Sequence, residues 1–216
     1  MRIAVFGGSF DPVHYGHLLL AETCREACAL DLVLLMPNAI PPHKPDRQLT
    51  PVRQRLQMLQ LAVADCAGLE VSSLEADRGG VSYTVETLEE VRSRYPDASI
   101  FFLMGADALR DLPGWREPTR ICELARPLIV ARPGGPDPDL SILHRLRGNS
   151  TPSDGEPTVL PMPRIDISST ELRERVRAGR SIRFRTPRSV EEYVRQHRLY
   201  RSESLEREGD HGDQNP

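Results

Sequence analysis

The chain has 216 residues, 28 Lys and Arg against 31 Asp and Glu, and a formal net charge of -3. That length suits one domain with a substantial core, and the near balance of charge argues against a nucleic-acid or membrane-surface binder and for a small-molecule partner. No run of about 18 apolar residues occurs, and Met1 to Phe6 enters an apolar run with no basic leader, so the expected location is the cytoplasm, with no membrane span.

In chain order, Ile3 to Phe6 is the first predicted strand, followed by helical spacing over Leu18 to Ala29 and a second strand at Leu32 to Met36. Thr50-Pro51 offers an N-cap and a first-turn proline to a helix over Pro51 to Cys66, after which Leu69 to Leu74 is strand-like. Val85 to Tyr95 is the next helix, Ile100 to Met104 a strand, Pro118 to Leu124 a helix and Leu128 to Ala131 a strand. Gly134 to Pro157 is a Pro/Gly/Ser/Asp-rich insertion with one helical turn at Leu140 to Leu146, and a weaker strand follows at Thr158 to Leu160. Ser168 to Ala178 and Ser189 to His197 are closing helices, and residues 201–216 form a polar tail expected to be disordered. The alternation predicts one α/β domain over residues 1–200: a doubly wound, mostly parallel sheet with helices on both faces and C-terminal helices closing it.

In such a sheet ligands bind beyond the carboxyl ends of the strands, so the loop after the first strand is the place to look. It is GGSFDPVHYGH, with Gly7 and Gly8 allowing close backbone approach and a helix beginning near Gly16 aiming free N–H groups at the same spot. The spacing is neither G-x-G-x-x-G nor a P-loop, so it does not indicate a dinucleotide redox cofactor or a Walker-type ATPase. His14 and His17 can each offer a ring N–H to a phosphate and each can carry positive charge near neutral pH, with Gly16 leaving room for a group between the rings. The four cysteines, Cys24, Cys28, Cys66 and Cys122, form no C-x-x-C pair. His17 and Cys24 are about 10 Å apart along a helix, so no metal is expected there and reduced structural thiols are.

This loop resembles the G-x-F-D-P-x-H-x-G-H signature of the nucleotidylyltransferase superfamily, and Ile167-Ser168-Ser169-Thr170-Glu171-Leu172-Arg173 resembles its I-S-S-T-x-x-R motif. On the residues alone, Ser168 and Glu171 fit a capping box and Arg173 follows one turn later. Pro41-Pro42-His43-Lys44-Pro45, Val81-Ser82-Tyr83-Thr84 and Gly105-Ala106-Asp107 with Leu112-Pro113-Gly114-Trp115 are, in order, similar to segments of bacterial nicotinate-nucleotide adenylyltransferases, and the similarity spans Arg2 to Tyr200.

That resemblance implies a Rossmann-like fold and transfer of the adenylyl group of ATP to nicotinate mononucleotide, with Mg²⁺ carried on the ATP. It implies an ATP site of Gly7, Gly8, Ser9, Phe10, His14, His17, Arg132, Ser168, Ser169, Thr170 and Arg173, of which His14, His17 and Arg173 act on the reacting phosphates. It places His43, Lys44, Thr84, Asp107, Trp115 and Arg116 on the mononucleotide side. Lys44 is the only lysine in the chain and is either a phosphate contact or a solvated loop residue; Asp107 is either a ribose contact or a helix N-cap; Trp115 either stacks on a pyridine ring or packs. Gly114 and Arg116 depart from the bulkier neighbours the family pattern would put beside Trp115. A nicotinamide-mononucleotide or dual-specificity enzyme, or a non-catalytic nucleotide sensor on the same fold, is the alternative, and a homo-oligomer is left open.

Overall fold

A computed structural model describes residues 1–41, 48–131, 137–147, 158–161 and 165–201. Its strands are β1 (Arg2–Gly8), β2 (Leu32–Pro37), β3 (Leu69–Val71), β4 (Ser99–Gly105), β5 (Arg126–Ala131) and β6 (Thr158–Pro161). They form one six-stranded sheet in the order β3-β2-β1-β4-β5-β6, and every pairing is parallel. The chain moves from β1 outward through β2 and β3, then returns to the other side of β1 with β4. The β1/β4 boundary is therefore the switch point at which a crevice opens.

Side chains of a strand alternate between faces, and the core follows that period. Ala4, Phe6, Val33, Leu35, Phe101, Leu103, Leu128 and Val130 pack on one face against α1 (Tyr15–Ala27), α2 (Val52–Val63), α8 (Ser169–Arg177) and α9 (Arg188–Gln196). Ile3, Val5, Leu32, Leu34, Met36, Ile100, Phe102, Met104 and Ile129 pack on the other against α3 (Leu74–Arg78), α4 (Thr84–Arg94), α5 (Ala106–Asp111), α6 (Pro118–Leu124) and α7 (Ser141–Arg147). The apolar run of β2 is thus buried on both sides, as a central parallel strand requires.

Several boundaries differ from the sequence reading. The third strand ends at Val71, and Leu74 instead opens α3, where it is buried against the second face. Helix α2 starts at Val52 with Pro51 in the N-cap position, so Thr50 does not cap it; Thr50 gives its carbonyl to Arg55 Nε at 2.7 Å. Helix α1 begins at Tyr15, three residues before the apolar period becomes visible. Helix α5 and the 3-10 turn at Leu112–Gly114 are too short to show a period. The helical turn expected near Leu140 is α7; the rest of that insertion lies largely outside the described residues, as do residues 202–216. No helix among the described residues is long and apolar enough to cross a membrane.

Candidate active site

Beyond β1 the chain turns through Gly7 and Gly8 toward α1. A Cβ on Gly7 would meet nothing within 4 Å, so this position opens on free space, whereas one on Gly8 would lie 3.2 Å from the Phe10 ring. Phe10, at φ 47°, is buried and meets Phe6 and His17 edge-on at 5.2 and 4.9 Å between ring centroids. Its ring is a support beneath the histidines, packed in the core.

His14 is the N-cap residue of α1, in extended conformation, and its ring stacks on that of His17 with centroids 3.7 Å apart and planes at 22°. This corrects the expectation of a group held between the two imidazoles. The glycine between them serves a different purpose: a Cβ on Gly16 would fall 3.0 Å from Cε1 and Nδ1 of His14, so it makes room for the ring itself. His17 Nδ1 accepts the His14 backbone N–H at 3.3 Å, which leaves Nε2 of His17 as the N–H donor of a neutral ring.

The expected charge is corrected as well. Burial takes the pKa of His14 down to about 4, and burial together with the neighbouring His14 holds His17 well below its ordinary value. At neutral pH the pair supplies hydrogen-bond donors without cationic charge.

The second motif lies against the first. Ser168 caps α8 by accepting the Glu171 N–H at 3.1 Å. The reciprocal half of the expected capping box is replaced: the Glu171 carboxylate pairs with Arg185 at 3.2 Å. Ser169 Oγ donates to the Pro12 carbonyl at 2.9 Å, and Arg173 Nη1 donates to the Asp11 carbonyl at 2.7 Å and Nη2 to Thr170 Oγ1 at 3.2 Å. Thr186 Oγ1 donates to Val13 O at 2.7 Å, the Tyr15 N–H to Arg185 O at 3.0 Å, and the Tyr200 hydroxyl to Asp11 Oδ1 at 2.6 Å. Helix α8 and the segments on either side of α9 thus grip the histidine loop along its length, and the N-termini of α1 and α8 open on the same place.

Beside this loop lies a cavity of about 390 Å³ whose walls include Gly7, Asn38, Tyr83, Thr84, Trp115 and Arg116. A smaller one of about 140 Å³, over the ends of β1 and β4, shares Gly7 and Trp115 with it. Trp115 is half-buried at their seam, edge-on to Phe102 at 6.1 Å. Thr84 is the first residue of α4, so the free N–H groups of that helix start at the cavity wall. The Arg116 guanidinium lies 4.7 Å over the Tyr83 ring and 2.8 Å from Glu86 Oε1. Asp107 sits in the first turn of α5, is largely exposed and pairs with Arg110 at 3.3 Å; the N-cap of α5 is Gly105, so the capping alternative for Asp107 does not hold. His43, Lys44 and Arg132 lie outside the described residues.

The sequence reading missed buried polar groups in and near these walls. Glu75 is 6% exposed; burial raises its pKa, and Thr87 Oγ1 donates to its carboxylate at 2.7 Å while accepting from Arg78 at 2.9 Å. Arg55, also buried, bonds backbone carbonyls of the loops after β1 and β2. Its signal in the sequence was a cation four residues before Leu59, on the inward stripe of α2. Among the described residues, no three His, Cys, Asp or Glu side chains gather into a group that would hold a metal ion.

The model of cytidylyltransferase-like proteins matches residues 5–175. A Thermus thermophilus protein described as a probable nicotinate-nucleotide adenylyltransferase is 46% identical over 203 residues, 93% of this chain and 100% of the relative. A Thermomicrobium roseum protein of the same description is 43% identical over 202 residues, 93% of this chain and 92% of the relative. Among solved structures, the Plasmodium falciparum nicotinic acid mononucleotide adenylyltransferase complexed with NaAD aligns with a TM-score of 0.74 at 19% identity, over 92% of this chain and 97% of that one. At that identity the likeness concerns the fold.

Proposed function

This chain belongs to the nicotinate-nucleotide adenylyltransferases, within the cytidylyltransferase-like proteins, and we propose that it transfers the adenylyl group of ATP to the 5'-phosphate of nicotinate mononucleotide. An oxygen of that phosphate bonds to the α-phosphorus of ATP, the bond from the α-phosphorus to the bridging oxygen breaks, and deamido-NAD and pyrophosphate result, a step of NAD biosynthesis.

The attacking phosphate has a second pKa near 6 and is largely ionised at neutral pH, so the reaction needs no general base. The site agrees with that requirement, because His14 and His17 are neutral and no carboxylate hydrogen-bonds to either ring among the described residues. What the reaction needs is positioning and neutralisation of two anions. We assign His17 Nε2–H as a donor to a triphosphate oxygen, the N-termini of α1 and α8 to the phosphates, and Arg173 as the cation at the α8 end. Ser168, Ser169 and Thr170 line that end, and Arg132 is assigned to the ATP on the strength of the family resemblance. Mg²⁺ would arrive on the ATP and would supply charge neutralisation for the departing pyrophosphate, beside the donors of α1, α8 and Arg173.

We place the mononucleotide in the larger cavity, with its pyridine ring against Trp115 and its carboxylate at the start of α4 near Thr84 and Arg116. His43 and Lys44 are assigned to its phosphate, and Asp107 to the rim.

The observation that carries this reading is the stacked His14–His17 pair at the start of α1, held against the start of α8 beside an open cavity. The test is pyrophosphate release with Mg-ATP and either nicotinate or nicotinamide mononucleotide. Preference for the acid is expected; equal use or preference for the amide reassigns the substrate, and no turnover with either overturns the reading in favour of a sensor.

A further inference from the structure

Arg55 takes no part in the chemistry above, yet it is among the most deeply buried side chains of the described residues, at 1% exposure. A guanidinium is kept out of water only where its donors are met. Arg55 makes four hydrogen bonds, each to a backbone carbonyl: Nε to Thr50 O at 2.7 Å, Nη1 to Ser9 O at 2.8 Å, and Nη2 to Asn38 O at 2.8 Å and Ala39 O at 3.4 Å.

These carbonyls belong to different segments. Ser9 is in the loop that leads to the histidines, Asn38 and Ala39 are in the loop after β2, and Thr50 leads into α2. Asn38 and Pro41 form part of the wall of the larger cavity, with Arg55 behind them. Only a planar fork with donors in several directions spans such a set; a lysine ammonium at the same place does not.

The two loops are not equally secured otherwise. Residues 11–15 have their own anchors in Arg173, Ser169, Thr186, Arg185 and Tyr200. Among the described residues beyond Asn38, the loop after β2 is joined to the segment before α4 through the Ala39 N–H to Ser82 Oγ at 2.9 Å and the Ser82 N–H to Ile40 O at 2.9 Å, and to the histidine loop through the Thr50 N–H to Asp11 Oδ2 at 3.4 Å and through Arg55.

We propose that Arg55 is a positioning residue for the transfer, setting the distance between the loop that walls the mononucleotide cavity and the loop that presents the triphosphate. The inference rests on the functional reading above, and it predicts an asymmetric defect. In Arg55→Lys the KM for nicotinate mononucleotide rises roughly tenfold and kcat falls by about one to two powers of ten, while the KM for ATP stays within about twofold.

Leu59→Ala, which weakens the same helix in its core, serves as the comparison: it lowers thermal stability and leaves both KM values together. Ser82→Ala removes a second side-chain anchor of the loop and gives the Arg55 pattern at smaller size, so the test stands even if Arg55→Lys does not fold. Hydrogen exchange supplies a readout independent of turnover: in Arg55→Lys the Ala39 and Ser82 amides lose protection and the Tyr15 amide keeps it. Equal shifts of both KM values, a loss of stability alone, or unchanged exchange at Ala39 and Ser82 overturns the proposal. A wild-type protein inactive with both mononucleotides overturns the functional reading instead, a failure visible before any variant is made.

Discussion

The Tyr200 hydroxyl donates to the buried carboxylate of Asp11 at 2.6 Å, joining residues 189 apart in sequence, and Asp11 also offers its carbonyl to Arg173. One acidic residue in the first loop is thus held at its side chain and its backbone by the C-terminal part of the chain. Burial and the Asp11 charge raise the phenol pKa, so Tyr200 remains a donor across the working pH range.

Tyr200→Phe removes that donor and leaves the buried carboxylate short of a partner. The expected loss is about 1–3 kcal/mol of stability, with a higher KM for ATP as the histidine loop loosens. Urea denaturation alongside steady-state kinetics checks it; an unchanged midpoint would show that the bond contributes nothing net.

The histidine pair makes stability depend on pH. His14 has a folded-state pKa of about 4 against an ordinary 6.5, so the unfolded chain takes up a proton that the folded chain refuses. The stabilisation is complete above about pH 6.5 and is lost as pH falls toward about 4, by on the order of 3 kcal/mol from His14. His17 acts in the same direction. Denaturation at pH 7.5, 6 and 5 should therefore show a steeper fall for the wild type than for His14→Gln, and parallel curves would contradict the assigned neutral pair.

For turnover, His17→Ala should lower kcat by roughly two to three powers of ten with the fold intact. His17→Gln, which returns an N–H donor near the Nε2 position, should recover part of that loss. A folded His17→Ala protein with nearly full activity would remove His17 from the triphosphate site.

Gly16→Ala separates helix stability from site geometry. Alanine is the better helix former by up to about 1 kcal/mol, but its Cβ would stand 3.0 Å from the His14 ring. Melting temperature should change little while kcat drops at least about tenfold, because the ring must leave the stack. Full activity in this variant would show that the stacked arrangement is dispensable.

Trp115→Ala should raise the KM for the mononucleotide roughly tenfold, and Trp115→Phe should recover most of the loss by keeping an aromatic face beside Phe102. Fluorescence of this single tryptophan should be quenched on titration with nicotinate mononucleotide. No quenching would place the ring elsewhere.

The sequence by itself determined the α/β class, every strand of the described sheet to within a few residues, and the two motifs, because apolar period, glycine placement and helix-start chemistry are local properties. It also located Thr84 at a helix start and Trp115 outside any apolar period.

Tertiary structure decided what depends on distance and burial. The charge of His14 and His17 is one such property, since a sequence shows two titratable rings but not the desolvation that keeps them neutral. The function of Gly16 is another: its space belongs to the imidazole of His14, which only the stacked geometry reveals. Ser169, Arg173 and Tyr200 hold carbonyls or a carboxylate of residues 11 and 12, and Arg55 joins loops that begin at different strands. Those contacts cross the fold between residues that share no local pattern, so they come into being only when the sheet brings its strand ends together.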